Sequence, residues 1–383
     1  IIKAALANAP GLEEQTLLEE EAQARLQQAR GRGLPDANFY FQVGPREEYR
    51  SGDAEDNSYI AVNSGLRVSQ PLYHWGAIKA EIERARLALD GRSLERMGQE
   101  VELIRRLRSD YLHLILNQQN RVKEQARLAL AEEDRERIRI EHESGKRSAL
   151  DLQDKQLSAE RIRLSLSRIE AHERLLRDRF RQTYGFDGQV IPGKTLPEID
   201  LNTALKWLQS EEDSLDGSRV YDFIPVQRQM GLVKQQEEYL KMVQAEDRPR
   251  FNLFVAGNQG ITNTASQNDV DTVSVTAGLS VSWNLFDGFR TRQKSIEGRL
   301  KRNRLEMGLE RKVDELRSEQ MRMLEALRLR VRELDLMEQS YKVRKARHRS
   351  TEIDFEEGRI TNAEYQADRL QLDSLEVQRD EAL

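Results

Sequence analysis

The chain is written twice. Gly145 and Gly358 lie 213 residues apart. Around the first stands His142-Glu-Ser-Gly145-Lys-Arg-Ser148-Ala-Leu-Asp151, and around the second Phe355-Glu-Glu-Gly358-Arg-Ile-Thr361-Asn-Ala-Glu364. A ring, a glycine, a hydroxyl and an acid recur at one spacing. The same shift carries Gly65-Leu-Arg-Val-Ser69 onto Gly278-Leu-Ser-Val-Ser282, and Leu72-Tyr73 onto Leu285-Phe286. Chance does not hold one register over so long a stretch. An internal duplication follows, and each half must fold in the same way.

Proline and glycine punctuate regular structure. No proline lies between Leu72 and Ile191 or after Arg250, and Gly145 is the only glycine between Gln99 and Tyr184. Gly358 is alone in the same way after Leu309. Such runs, rich in Leu, Arg, Glu, Gln and Ala, favour helix. Apolar residues recur at spacings of three and four in Ile78, Ile82, Ala85 and Leu89, then Leu94, Met97, Val101 and Ile104, and again in Leu309, Val313 and Leu316. That is a narrow coiled-coil seam with a wide polar remainder. It accounts for a chain that is 33% charged and only 38% hydrophobic. A helix from Gly76 to His142 would be roughly 100 Å long at 1.5 Å per residue. No apolar run reaches the length of about 18 residues that a membrane-spanning helix needs.

The segment before each long helix alternates instead. Ile60, Val62, Leu66, Val68 and Leu72 hold one parity, and Ala61, Asn63, Gly65, Arg67 and Ser69 the other. In the second half Val273, Val275, Leu279 and Val281 oppose Thr272, Ser274, Thr276, Gly278, Ser280 and Ser282. Period two marks strands between two different environments. Phe39, Phe41 and Val43 alternate upstream, with Leu253 and Val255 as counterparts at a shift of 214. Polar loops are expected at Gly44–Ser58 and Gly257–Asp271. Short helices are expected near Glu13–Ala29, Leu201–Glu211 and Val226–Ala245. The organisation is therefore a first repeat over 1–184 with a β-hairpin at 37–71 and a helix-pair tip at 142–151. A connector follows over 185–223, then a second repeat over 224–383 with a hairpin at 250–285 and a tip at 355–364.

Four strands cannot close a barrel, which takes about eight, and an open sheet with an apolar face would aggregate. Several copies must pool their strands: two copies would give eight and three would give twelve. Parity puts Asn63, Arg67, Ser69, Thr272, Ser274 and Thr276 toward a lumen. Trp283, Tyr73 and Phe286 sit at one strand end, where an aromatic belt would lie. A soluble coiled-coil structural or adaptor protein with β-hairpin ends is the alternative.

At this point the sequence resembles the outer membrane factors of the TolC family, the exit ducts of tripartite efflux pumps and type I secretion systems. The resemblance is carried by the duplication, by Trp283-Asn-Leu-Phe-Asp-Gly288 and its counterpart Gln70-Pro-Leu-Tyr-His-Trp75-Gly76, by Pro35 and Pro249 before the first strand of each half, and by Gly145-x-x-Ser148-x-x-Asp151 and Gly358-x-x-Thr361-x-x-Glu364. It implies a mainly α chain with a β-barrel part. Long antiparallel coiled-coil helices would form a periplasmic α-helical tunnel, the connector an equatorial belt, and four strands per chain a twelve-stranded transmembrane barrel shared by a homotrimer in the outer membrane of a Gram-negative bacterium. It implies outer membrane lipid, a periplasmic membrane fusion (adaptor) protein and, through that adaptor, an inner membrane transporter as partners.

The resemblance also assigns residues. Glu364, with Asp368 near a second acidic position that Ala367 occupies, and Asp151 fall where the pore constricts. Lys146, Arg147, Ser148, Arg359, Ile360 and Thr361 fall where the tips meet the adaptor, and Gly145 and Gly358 in the tip turns. Phe355 and Ile360 stand where the best-described members place a hydroxyl-bearing aromatic and a base, so a polar lock of that form is not expected. The match further predicts that about 15 residues of the last helix lie beyond Leu383, and that any signal peptide or acylated cysteine lies before Ile1.

Other functions find little support. Acids and bases interleave at a net charge of −5, with no basic stripe for nucleic acid. There is no cysteine, and His74, His113, His142, His172 and His348 show no metal-binding spacing on a helix. Gly145-Lys146 is followed by Arg147 and lacks the preceding glycine of a phosphate loop. No catalytic residue, cofactor or metal is expected.

Overall fold

The computed structural model describes residues 1–48, 57–186, 203, 205–207, 209–210, 219–264 and 267–382. Its elements are α1 (Ile2–Asn8), α2 (Pro10–Gly31), β1 (Asp36–Glu48), β2 (Asn57–Tyr73), α3 (Ala77–Glu143), α4 (Ala149–Tyr184), a 3-10 turn (Arg219–Asp222), α5 (Ile224–Glu246), β3 (Arg250–Thr264), β4 (Gln267–Ser282), α6 (Arg290–Glu356) and α7 (Asn362–Ala382). The duplication reaches the backbone itself. Helices α3 and α6 each run 67 residues, and their ends keep the 213-residue shift that aligns Gly145 with Gly358. No helix among the described residues is long and apolar enough to cross a membrane.

Two expectations need correction. The expected loop Gly257–Asp271 is largely strand, because β3 continues to Thr264 and β4 begins at Gln267. In the first hairpin β1 runs through Gly44 to Glu48, and the loop centre, 49–56, lies outside the described residues. Polar side chains stop no strand while the backbone ladder continues, since pairing depends on main-chain groups. The hairpins therefore outrun the apolar alternation. Helix α1 was also not expected, as its seven residues are too few to show a period. Of the connector, Thr203, Leu205–Trp207, Gln209 and Ser210 are helical, and 187–202 and 211–218 lie outside the described residues.

Packing divides the chain into two compact units, each drawing on both repeats. One holds Ile1–Glu14, Met97–Asp222 and Val313–Leu383, the other Gln15–Arg96 and Phe223–Lys312. The first has a core of Ala5, Leu107, Leu114, Leu176, Phe180 and Tyr184. Asp110 is buried beside it. It accepts the Tyr184 hydroxyl at 2.7 Å and pairs with Arg179 at 2.9 Å, which is how a carboxylate survives so little water. Burial and that carboxylate push the Tyr184 phenol well above its ordinary range. Gly185 caps α4 with φ 68°, and a Cβ there would lie 2.3 Å from the Asn8 carbonyl oxygen. Only glycine lets α1 seat against this turn.

The second unit contains the sheet and α5. Buried and half-buried glutamines of α5 fasten it to both long helices: Gln235 donates to the Leu87 carbonyl, and Gln236 and Gln229 to those of Gly298 and Leu305, each at 3.2 Å. Gly298 permits the close approach, because a Cβ would stand 2.6 Å from Leu240.

Replacing Gly185 by alanine adds a left-handed non-glycine residue, about 1–3 kcal/mol, and a clash with Asn8. We expect a lower urea midpoint and faster proteolytic cleavage within residues 1–9. Unchanged cleavage there would show that α1 does not depend on the turn.

Candidate functional site

The four strands form one antiparallel sheet in the order β1-β2-β3-β4. Residues paired across strands share a face, so the register decides which side each one takes. Asn63 pairs with Gln42 and Gly260, and Gly260 with Thr272; Arg67 pairs with Asn38 and Ala256, and Ala256 with Thr276. Ser69 and Ser274 fall on the same side. All six residues picked by parity thus lie together on one polar face. The other face carries Phe39, Phe41, Val43, Ile60, Leu66, Leu253, Val255, Val273, Val275, Leu279 and Val281, all exposed. Phe39 is 70% and Val275 77% accessible, so nothing among the described residues covers that face. Strands β1 and β4 each keep one unpaired edge within the sheet.

The polar face has an order that alternation does not reveal. Tyr40 lies across Gly65, and its hydroxyl donates to Asn258 Oδ1 at 2.9 Å on the strand beyond. A Cβ on Gly65 would stand 2.6 Å from the Tyr40 ring. In the second repeat Phe254 lies across Gly278, 3.4 Å from where a Cβ would be, and Arg67 stacks on the Phe254 ring at 4.9 Å. Each repeat therefore covers a strand glycine with an aromatic from its neighbour, which offsets the glycine's missing side chain.

At the junctions from strand to long helix the backbone turns left-handed twice in succession. Trp75 (φ 54°) and Gly76 (φ 81°) do so in the first repeat, and Gly288 (φ 68°) and Phe289 (φ 65°) in the second. Aromatic and glycine have exchanged order. Each junction keeps an edge-to-face ring pair, Tyr73–Trp75 at 4.9 Å and Phe286–Phe289 at 5.6 Å. The indoles of Trp75 and Trp283 donate to the carbonyls of Pro249 and Asp247 at 2.8 and 3.0 Å. They hold the α5–β3 connection from two sides.

The tips explain the duplicated motif. Gly145 (φ 75°) and Gly358 (φ 72°) end α3 and α6. The next residues, Lys146 and Arg359, return N–H bonds of 2.8 Å to the carbonyls of Glu141 and Asp354, closing the last turn in the Schellman manner. The hydroxyl and the acid then start the next helix. Ser148 N–H donates to Asp151 Oδ2 at 3.1 Å and Asp151 N–H to Ser148 Oγ at 3.1 Å. Thr361 N–H donates to Glu364 Oε2 at 2.8 Å and Glu364 N–H to Thr361 Oγ1 at 3.3 Å. These are two reciprocal capping boxes. The Ser148 hydroxyl holds the Asp151 carboxyl below its usual range, and the Thr361 backbone N–H does the same for Glu364.

Other tip groups are engaged locally. Arg147 pairs with Glu141 at 2.9 Å, which raises its guanidinium further, and Arg359 pairs with Asp354 at 3.1 Å and with Glu357. Lys146 is exposed. Ile360 is half-buried, while Leu150, not singled out from sequence, is 74% accessible. Asp368, placed near the constriction by the resemblance, is engaged across the helix pair. It is largely buried between Arg344 at 2.5 Å and His348 at 2.7 Å, so its charge is balanced inside the α6–α7 seam. Phe355 and His348 stack on Tyr365 at 4.7 and 5.6 Å. Only the fold brings these five residues together. Among the described residues no His, Asp or Glu cluster is arranged to hold a metal.

Residues 1–174 match the family model described as outer membrane efflux protein. No curated protein sequence matches the chain. Solved structures of similar fold cover all of it. A membrane protein from Pseudomonas aeruginosa has a TM-score of 0.78 at 16% identity, over 87% of its own length. The Campylobacter jejuni CmeC outer membrane channel has 0.77 at 13%, over 81%. The Vibrio cholerae outer membrane protein VceC has 0.71 at 13%, over 92%.

Because the capping carboxyls titrate low when folded, their contribution is complete above their ordinary range of about 4 and is lost as pH falls from there through their lowered folded-state values. Amide protection at 149–152 and 362–365 should weaken below about pH 4, and Ser148→Ala or Thr361→Ala should weaken it at neutral pH. Hydrogen exchange checks both, and unchanged protection in the alanine variants would remove the caps.

Proposed function

We propose that this chain, whose first repeat carries the outer membrane efflux protein signature and whose full length has the fold of such channels, is one protomer of a trimeric export duct in the outer membrane of a Gram-negative bacterium. It passes solutes from a periplasmic adaptor and an inner membrane pump to the exterior. One observation carries the reading: a sheet with two unpaired edges, an exposed apolar face and a polar face opposite. Backbone groups at membrane depth must be paired within protein, and a closed barrel does this. Three copies supply twelve strands, with the apolar face toward lipid. Asn63, Arg67, Ser69, Thr272, Ser274 and Thr276 then line the lumen. The reverse orientation would place Arg67 in lipid at a cost of about 2–4 kcal/mol at mid-depth.

Most of each chain then lies in the periplasm, as water-bathed helices. At the tips, Glu364 and Asp151 are the carboxylates that constrict the pore. Both are exposed and ionised, and three copies of each would form acidic rings that attract cations. Asp368 instead fastens α7 to α6 through Arg344 and His348. That buried clasp, with the Phe355–Tyr365–His348 stack, holds the second tip where a hydroxyl-based lock is absent. Lys146, Arg147, Ser148, Arg359, Ile360 and Thr361 form the adaptor surface with Leu150. The substrate is chosen by the pump, since the duct wall is generic.

In planar bilayers the purified trimer should conduct, and Glu364→Gln should lower cation selectivity and relieve divalent block. Glutamine retains the capping geometry, so the change reports charge and not fraying. Unchanged selectivity would remove Glu364 as a constriction. A chain that is soluble and monomeric without detergent would defeat the channel reading.

A further inference from the structure

At the first strand-to-helix junction lies a cleft of about 390 Å³, lined by Trp75, Lys79, Glu83, Glu238, Lys241 and Arg248 among others. Its charges are unevenly matched. Lys241 pairs with Glu238 at 2.6 Å, and Glu83 approaches Arg86 at 3.9 Å. Among the described residues neither Lys79 nor Arg248 has a carboxylate partner. Arg248 lies over the Trp75 ring at 4.8 Å. A guanidinium held over an aromatic face keeps its charge, and its N–H groups can still meet an oxyanion. The Trp75 ring is itself fixed by its bond to Pro249, on a left-handed backbone that a non-glycine residue adopts only under strain.

The cleft adjoins the apolar face. Tyr73 pairs with Phe251, and Phe251 with Val281, whose side chain lies on that face. The row Tyr73–Phe251–Val281 is the last on that face before the junction, and the Tyr73 ring lies 4.9 Å from that of Trp75. An acyl chain lying along the apolar face would end where Lys79 and Arg248 begin. Basic residues beside interfacial aromatics are placed to meet lipid phosphates. The second repeat has no equivalent pair. Arg292 takes the place of Lys79, but Leu34 takes that of Arg248 at the strand-one shift.

We propose that this cleft is a binding site for the phosphate of an anionic phospholipid headgroup of the membrane's inner leaflet. The site rests on the channel reading, since it needs lipid along the sheet. It seats the barrel at a fixed depth by binding one lipid class, beyond the general preference of aromatics for the interface.

Native mass spectrometry of the full chain in detergent tests this, with dioleoylphosphatidylglycerol or dioleoylphosphatidylcholine added. The wild type should retain phosphatidylglycerol in preference to phosphatidylcholine. The double variant Lys79→Gln with Arg248→Gln should lose that preference by on the order of tenfold, and Arg292→Gln should keep it. Trimer mass and bilayer conductance show that each variant is assembled. An assembled double variant with undiminished preference would overturn the site and leave the channel standing. Equal loss in Arg292→Gln would overturn it in favour of bulk charge, and displacement by excess inorganic phosphate in favour of a free-phosphate site. A wild-type chain that is monomeric and soluble without detergent would overturn both readings.

Discussion

The edges of the sheet govern the rest. Strands β1 and β4 present rows of unpaired backbone groups, and in hydrocarbon each such group costs several kcal/mol. No side chain can meet that demand, and only another strand can. In the proposed barrel neighbouring copies would meet that demand, and the apolar face would be left to lipid. A chain that is 33% charged is compatible with the proposed barrel. Four strands contribute one apolar face, and the long helices need only a seam.

Much of this was legible in the sequence, because duplication doubles every signal. The proline-free run located the first long helix to within a residue, the 213-residue shift implied its counterpart, and the alternation assigned all six polar-face positions to one side. The hydroxyl–acid spacing at the tips was legible as a repeat, though its local cause, a helix cap, emerged from the hydrogen bonds. What could not be read has common physical roots. Strand length beyond the apolar alternation is set by backbone pairing, on which side chains are silent. Helix α1 is too short to show a period. The Arg344–Asp368–His348 clasp joins residues on two helices whose relative rotation depends on the packed seam. The aromatic-over-glycine pairs require a cross-strand register that a single strand does not contain.

The tip acids show how one residue type can meet two needs. Asp151 and Glu364 satisfy exposed N–H groups at the start of α4 and α7, and the same bonds keep them ionised. A carboxylate so held has a fixed direction as well as a fixed charge, which is the property an electrostatic constriction needs. Asp368 sits close by in sequence yet pairs with Arg344 and His348 within the seam, so acids near one tip occupy different electrostatic settings.

The equal length of α3 and α6 carries an evolutionary consequence. A heptad gained by one helix alone would extend its hairpin by about 10 Å relative to the other and break the matched placement of the two caps. Length changes in such a protein are therefore tolerated only as coordinated pairs, at corresponding places in both halves. The two halves are free to diverge in composition, as Trp75-Gly76 and Gly288-Phe289 have done, while remaining bound to each other in length.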